Sequence, residues 1–453
     1  MIGLALCIFA LIGTFLVARK SFVNGFVAVM AVGYFYGIVR ANFFETASHF
    51  IFDAAVLGLY IAQFRRINCA FLTTGNQRLK HWVTLLLLIP TIMFFVPMQD
   101  FLVQLVGLRG NAFLIPFILI GAILNREEWY KIAIWLACLN VVAFLFGSAE
   151  YAFGVERFFP YNAVTDIIYR SNDVGADNAL RIPALFGSAH VYGGTMVLTI
   201  PILVNAWVQR HREIWQKYIL IAGLIAAILG VFMCAARLHF VLLVILLTVA
   251  TVCIRMRPVY RVAWIMLLII VGYVVSTHDR LQRFTTLDDR QTVQERIEVS
   301  VNTTLFDAMI NYPFGIGLGA GGTSVPFFLL DRVNAPVAIE SEYGRIELET
   351  GLIGLAVWSL FLLWVFTRKQ PERRDPAFVG LRLAWVAVLC FFLTGFIGIG
   401  IFTGIPQSAI LLMLVGRVAT YHTGEADGRV PVPRFSAMRP VPIPMPQREL
   451  VQR

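Results

Sequence analysis

Apolar stretches of about 15–20 residues recur along this chain, separated by short polar breaks. A helix needs about 20 residues to cross a hydrocarbon core of roughly 30 Å. Spans are read at about 2–18, 24–39, 50–64, 82–98, 111–124, 130–147, 189–207, 218–235, 238–254, 260–275, 351–367, 379–395 and 401–416. Backbone groups in lipid must bond internally, so only helices or closed barrels can span. The stretches lack the period-2 alternation of barrel strands. The pattern predicts an all-α fold, a polytopic membrane helical bundle of about 12–14 spans.

Loop charges assign the two sides. Arg65, Arg66, Arg78 and Lys80 share one loop, followed on alternate turns by Arg126 and Lys131, by Arg210, Arg212 and Lys217, by Arg255, Arg257 and Arg261, and by Arg368, Lys369, Arg373 and Arg374. Basic residues in short loops mark the cytoplasmic side. The tail after Arg417, rich in Pro and Arg, falls on that side and reads as disordered. Two long segments, 148–188 and 276–350, fall on the other side; long ordered loops are usually functional. The expected organisation is N-terminal spans over 1–147, a first outer loop over 148–188 and central spans over 189–275. A large outer loop over 276–350, C-terminal spans over 351–420 and a tail over 421–453 follow.

Composition agrees with lipid as the main solvent. Of 453 residues 58% are hydrophobic and 14% charged, with a mean hydropathy of +0.76; a soluble domain carries about 25% charged residues. The formal charge of +10 is spread through span-flanking loops rather than gathered in a basic domain, so no nucleic-acid binding is expected. Cys7, Cys69, Cys138, Cys234, Cys253 and Cys390 show no metal-ligand spacing and read as small buried hydrophobes. The N-terminus is apolar at once, with no basic n-region or A-x-A site, so no cleaved signal peptide is expected.

Candidate chemistry concentrates in the outer loops. Asp288–Ile310 reads as an amphipathic helix, with Val293, Ile297, Val301, Leu305 and Met309 as its apolar stripe and Arg296 on a polar face. It leads to Asn311-Tyr312-Pro313 and the Gly-rich run 314–322. Gly317-x-Gly319-x-x-Gly322 has a dinucleotide spacing without the preceding strand, and no phosphate-loop lysine follows, so a re-entrant or cavity-lining turn fits better. On a helix Glu342, Arg345 and Glu349 share a face. They form either a salt-bridged cap or a general-base carboxylate held by an arginine. Arg109, Arg181 and Arg237 stand at span edges, and arginine suits phosphate oxygens.

Four stretches, in order, resemble the O-antigen ligase / O-antigen (Wzy-type) polymerase superfamily of bacterial membrane glycosyltransferases. These are Gly107-Leu-Arg109-Gly110 with Tyr151-Ala-Phe-Gly154; Leu180 to Gly194, containing Arg181 and His190; Ala235-Ala236-Arg237; and Glu295-Arg296 followed by Asn311–Gly319 and Glu349-Thr-Gly-Leu-Ile-Gly354. The likeness covers about residues 100–416.

The resemblance implies a GT-C-like bundle in the bacterial inner membrane, with its active site facing the periplasm. It implies an undecaprenyl-diphosphate-linked oligosaccharide donor, a glycan acceptor, and polysaccharide-assembly proteins as neighbours. It implies no metal and no cofactor. Arg237 and Arg296 match the family arginines, with Arg181 next; His190, Arg345 and Arg109 join as substrate-binding residues. Many ligases have His-Asn upstream of the Glu-x-Gly, where this chain has Glu340-Ser341. Glu340 or Glu342 is then the expected base, and the expected activity is polymerisation of repeat units in O-antigen, capsule or exopolysaccharide assembly. An O-antigen ligase and a flippase or transporter of lipid-linked sugar are the alternatives.

Overall fold

A computed structural model describes residues 2–72, 77–170, 180–209, 213–254, 305–322, 325–334, 341–368, 377–398 and 400–420, with isolated positions between them. The described elements are helical, and no strand occurs among the described residues. The N-terminal helices are α1 (Ile2–Lys20), α2 (Phe22–Asn42), α3 (Ile51–Leu72), α4 (Gln77–Phe94), α5 (Phe101–Ala112), α6 (Phe117–Ile123) and α7 (Arg126–Phe153). The short α8 (Asp166–Tyr169), α9 (Ala189–Val208), α10 (Ile214–Cys234) and α11 (Arg237–Cys253) follow. The last are α12 (Asp307–Asn311), α13 (Glu342–Phe366), α14 (Phe378–Thr394) and α15 (Gln407–Thr420). Among the described residues eight helices are long and apolar enough to cross a membrane. Most of the amphipathic stretch 288–310, Arg296 included, lies outside the described residues, as does Glu340.

Local signals set the helix starts. Asn125 Oδ1 accepts from Glu128 N (2.9 Å) while Glu128 Oε2 accepts from Asn125 N (3.1 Å), a reciprocal cap on α7. Ser188 caps α9 and Ser341 caps α13, each accepting from the amide three residues on.

Helix α9 is the hub, packing against α7, α10, α14 and α15. Its apolar window is 78% buried, against 22% for α1, so α9 is central and α1 offers an apolar face to surroundings that must themselves be apolar. Between apolar helices, association rests on packing and on hydrogen bonds across helices. Tyr34 donates to Asn140 Oδ1 (2.7 Å), and Asn140 Nδ2 donates to Thr199 Oγ1 (2.8 Å). That relay ties α2, α7 and α9 together in the core.

The loop 154–170 docks on the end of α2: Asn42 Nδ2 donates to the Phe158 carbonyl and Asn162 Nδ2 to that of Ala41, both at 3.0 Å. The 180–188 segment joins it there, where Leu185 O accepts from Ile38 N (3.0 Å).

Helix α13 begins nine residues before the span start read from hydropathy, and it is broken. Gly351 has φ 69 and ψ −177, a conformation reserved for glycine, so two turns over Glu342–Thr350 stand apart from the apolar run that follows. The break frees backbone groups, and the Gly-rich segment satisfies them: Ile316 N donates to Leu348 O (2.7 Å) and Leu352 N donates to Pro313 O (2.9 Å). Irregular backbone among spanning helices persists only where protein re-satisfies it. On its other side this segment lies so close to α5 that a Cβ on Gly107 would overlap the backbone at Leu318–Gly319. Gln99 locks the turn, donating to Ile316 O (2.9 Å) and Asn334 O (3.1 Å) and accepting from Asn334 N (2.8 Å).

Candidate functional site

The two-turn start of α13 carries a buried ion triad. Arg345, 1% exposed, bonds Glu342 Oε1 through Nε (2.8 Å) and Nη2 (2.7 Å), and Glu349 Oε2 through Nη1 (2.8 Å). Glu342 Oε2 accepts from the amides of Gly400 (2.6 Å) and Ile401 (3.1 Å). Asn111 of α5 donates to Glu349 and accepts from Arg345 Nη1 (3.3 Å). Both Glu342 oxygens are therefore occupied, and the triad joins α5, α13 and the turn before α15. This is the salt-bridged arrangement of the two that the i, i+3, i+7 spacing allows.

Glu347 differs. It turns away from the triad face, is sealed from solvent, and neither carboxylate oxygen has a hydrogen-bond partner. A buried polar group without partners is uncommon and costs stability.

The 180–188 segment that carries Arg181 is held from three directions. Arg181 Nη1 lies 3.0 Å from His190 Nε2 on the first turn of α9. A guanidinium can only donate, so Nε2 accepts and the ring proton belongs on Nδ1. Glu150 of α7 accepts from the Ala184 amide (2.9 Å), fixing Ala184 at φ 50. Gly37 of α2 permits the close passage of Phe186 and Gly187, because a Cβ there would overlap their backbone. Sequence determines this turn through a buried acid on one helix and a missing side chain on another.

Arg237 starts α11, immediately after a two-residue turn from α10 whose Ala235 is left-handed (φ 48). Two residues on, His239 is buried against Gly193 and Gly194 of α9, and its ring lies 6.1 Å from that of His190. The turn that carries Arg181 and the turn that precedes Arg237, far apart in sequence, thus lie at the same end of α9, linked through the His190 and His239 rings. Among the described residues the non-glycine positions with positive φ are Ala184 and Ala235, one in each turn. Backbone strain of this kind clusters at ligand sites.

Arg109 of α5 is neutralised by Asp53 of α3 at 2.7 Å, with its guanidinium carbon 5.7 Å from the centre of the Phe50 ring. Among the described residues no group of three His, Cys, Asp or Glu side chains is arranged to hold a metal ion.

Of the residues singled out from sequence, Arg181 and His190 are in contact, and the turn before Arg237 lies by the same end of α9; Glu342 and Arg345 form the triad; Arg109 pairs elsewhere; Arg296 and Glu340 lie outside the described residues. Sequence reasoning passed over Glu150, His239 and Arg40. The first two sit inside apolar helices, where an ionisable residue is itself a signal. Arg40 is another arginine at a span edge, on the last turn of α2. No protein-family model matches the chain, and no curated protein matches it.

Proposed function

We propose that the chain is a membrane glycosyltransferase of the polysaccharide-polymerase type, moving an oligosaccharide from a lipid diphosphate to a glycan hydroxyl. The observation that carries this reading is the meeting of the turn that holds Arg181 with the turn that precedes Arg237, two strained turns at helix ends linked through His190 and His239. The basic-loop pattern supports a non-cytoplasmic position for that end of the bundle, which the resemblance makes the periplasmic side of a bacterial inner membrane. The resemblance of the motif order to O-antigen polymerases and ligases supplies the substrate class.

In the reaction, the acceptor hydroxyl oxygen bonds to the donor sugar's anomeric carbon as the bond from that carbon to the diphosphate oxygen breaks. Undecaprenyl diphosphate leaves with the bonding electron pair, so negative charge grows on it in the transition state. The positive charges of Arg181, Arg237 and Arg296 stabilise that charge more than the ground state. His190 orients Arg181. The acceptor proton passes to a carboxylate of the 340–349 segment. Glu342 spends its lone pairs on Arg345 and two amides, so we assign the proton to Glu340; Glu347 is the unpaired carboxylate of α13. The Glu340-Ser341 pair in place of His-Asn favours polymerase over ligase.

Deletion of the gene in its native cells tests the reading. Loss of long polymer with build-up of single lipid-linked repeat units on the periplasmic leaflet is expected. Build-up on the cytoplasmic leaflet would indicate a flippase and contradict it.

A further inference from the structure

The last turn of α2 meets the turn that carries Arg181. Ile38 N donates to Leu185 O (3.0 Å), Gly37 lies against the Phe186–Gly187 backbone, and Arg40 follows one turn later. Arg40 Nη2 comes within 3.6 Å of the point where a Cβ on Gly187 would stand. Ser188, next in the chain, caps α9, and His190 two residues on holds Arg181. Arg40 and Arg181 therefore attend the same short turn.

Two other arginines of the bundle are neutralised. Arg109 has Asp53 at 2.7 Å, and Arg345 has Glu342 and Glu349. Among the described residues Arg40 bonds only within its own helix: Nη1 donates to Tyr36 Oη (3.3 Å), and the guanidinium carbon lies 5.0 Å from the Tyr36 ring centre. Its Nε is buried without an acceptor, and no described carboxylate stands within ion-pair distance. Tyr36 Oη is in turn committed to His49 O (3.0 Å), which fixes the ring on which the guanidinium rests. A half-buried guanidinium held on an aromatic face, with a buried Nε unspent and no ion partner among the described residues, is suited to an anion with several oxygens.

We propose that Arg40 is a phosphate-holding residue of the lipid-diphosphate donor, acting beside Arg181 across the 181–190 turn. This rests on the function proposed above and extends its binding residues to the second helix of the chain. The donor's diphosphate would place one phosphoryl group toward Arg181 and the other toward Arg40. The donor then binds between α2 and α9, at the end of the bundle where the loop 154–170 is also tied to α2.

The test is binding of undecaprenyl diphosphate and undecaprenyl monophosphate to the full-length protein in lipid nanodiscs. Wild type, Arg40→Ala, Arg40→Lys, Arg181→Ala and the exposed Arg170→Ala are compared, each checked for folding by thermal melting. Loss of a charge-assisted contact should weaken diphosphate binding by roughly 10–100-fold in Arg40→Ala and in Arg181→Ala. Arg40→Lys should fold normally and lose much of the preference for diphosphate over monophosphate, because an ammonium lacks the paired donors. Arg170→Ala should bind as wild type. If Arg181→Ala weakens binding while a folded Arg40→Ala or Arg40→Lys binds both lipids as wild type does, Arg40 is an interfacial anchor and the proposal is overturned alone. If the wild type binds neither lipid, the proposal and the function on which it rests fall together.

Discussion

Arg181 and His190 meet at 3.0 Å across the turn that opens α9, joining an arginine in an irregular segment to the first turn of the most buried of the long apolar helices. The contact needs an imidazole lone pair on Nε2, so His190 acts as an acceptor that aims the guanidinium. His190→Leu removes the acceptor and should lower transfer by about tenfold, the equivalent of about 1.4 kcal/mol. His190→Gln, which keeps a side-chain carbonyl, should recover part of it. Initial rates at matched membrane abundance check this; equal rates for wild type and His190→Leu would remove the orienting role.

The buried triad should behave as a strut. Removing one member of a buried ion pair leaves an uncompensated charge and costs about 3–5 kcal/mol. Arg345→Met should therefore lower the melting temperature in detergent sharply, with poor accumulation in the membrane. Replacing all three as Glu342→Gln, Arg345→Met and Glu349→Gln should restore much of the loss. A normally melting Arg345→Met that no longer transfers sugar would instead make the triad part of the chemistry.

The legible and illegible parts of this chain divide by range. Helix identity follows from hydropathy and length, which is why α1, α2, α7, α9 and α10 lie close to the apolar runs read from the sequence. Glu342, Arg345 and Glu349 were visible as one face because helical spacing is local. Their partners were not: Asn111 lies 234 residues before Arg345, and Gly400 and Ile401 lie 58 and 59 residues after Glu342. The break at Gly351 was hidden because a glycine in an apolar run costs only about 1 kcal/mol, and its use depends on Pro313 and Ile316 arriving from elsewhere. Arg40 escaped notice because α2 runs three residues beyond the apolar run ending at 39, so its charge falls inside a helix instead of in a loop.

Gly351 and Gly315 face each other through backbone. A Cβ on Gly351 would stand 2.8–3.0 Å from the Phe314 backbone, and φ 69 is unfavourable for any other residue. Gly351→Ala should destabilise by about 1–3 kcal/mol and loosen the 314–322 turn. Gly13→Ala, at a helical glycine with nothing within 4 Å, should be neutral or slightly stabilising. Melting temperatures of the two variants check this; equal values would mean that the break is not a constraint.

Glu150 supports Arg181 at one remove. Glu150→Ala leaves the buried Ala184 amide without an acceptor, at about 1–3 kcal/mol, and frees the turn from φ 50. Donor affinity should fall more than turnover of bound donor. Glu150→Gln keeps an acceptor and should bind donor nearly as wild type. A fall in turnover with unchanged affinity would place Glu150 in the chemical step.

The central claim is that Arg181 and Arg237 stabilise a departing lipid diphosphate. The measurement that tests it most directly is release of undecaprenyl diphosphate by purified protein supplied with undecaprenyl-diphosphate-linked repeat units, read beside glycan length. Wild type should release one lipid diphosphate per linkage formed. Well-folded Arg181→Ala and Arg237→Ala should each be slower by about 10²–10³, with Arg237→Lys only partly restored. Wild-type rates of release and elongation in both alanine variants, or no release by the wild type, would contradict the account.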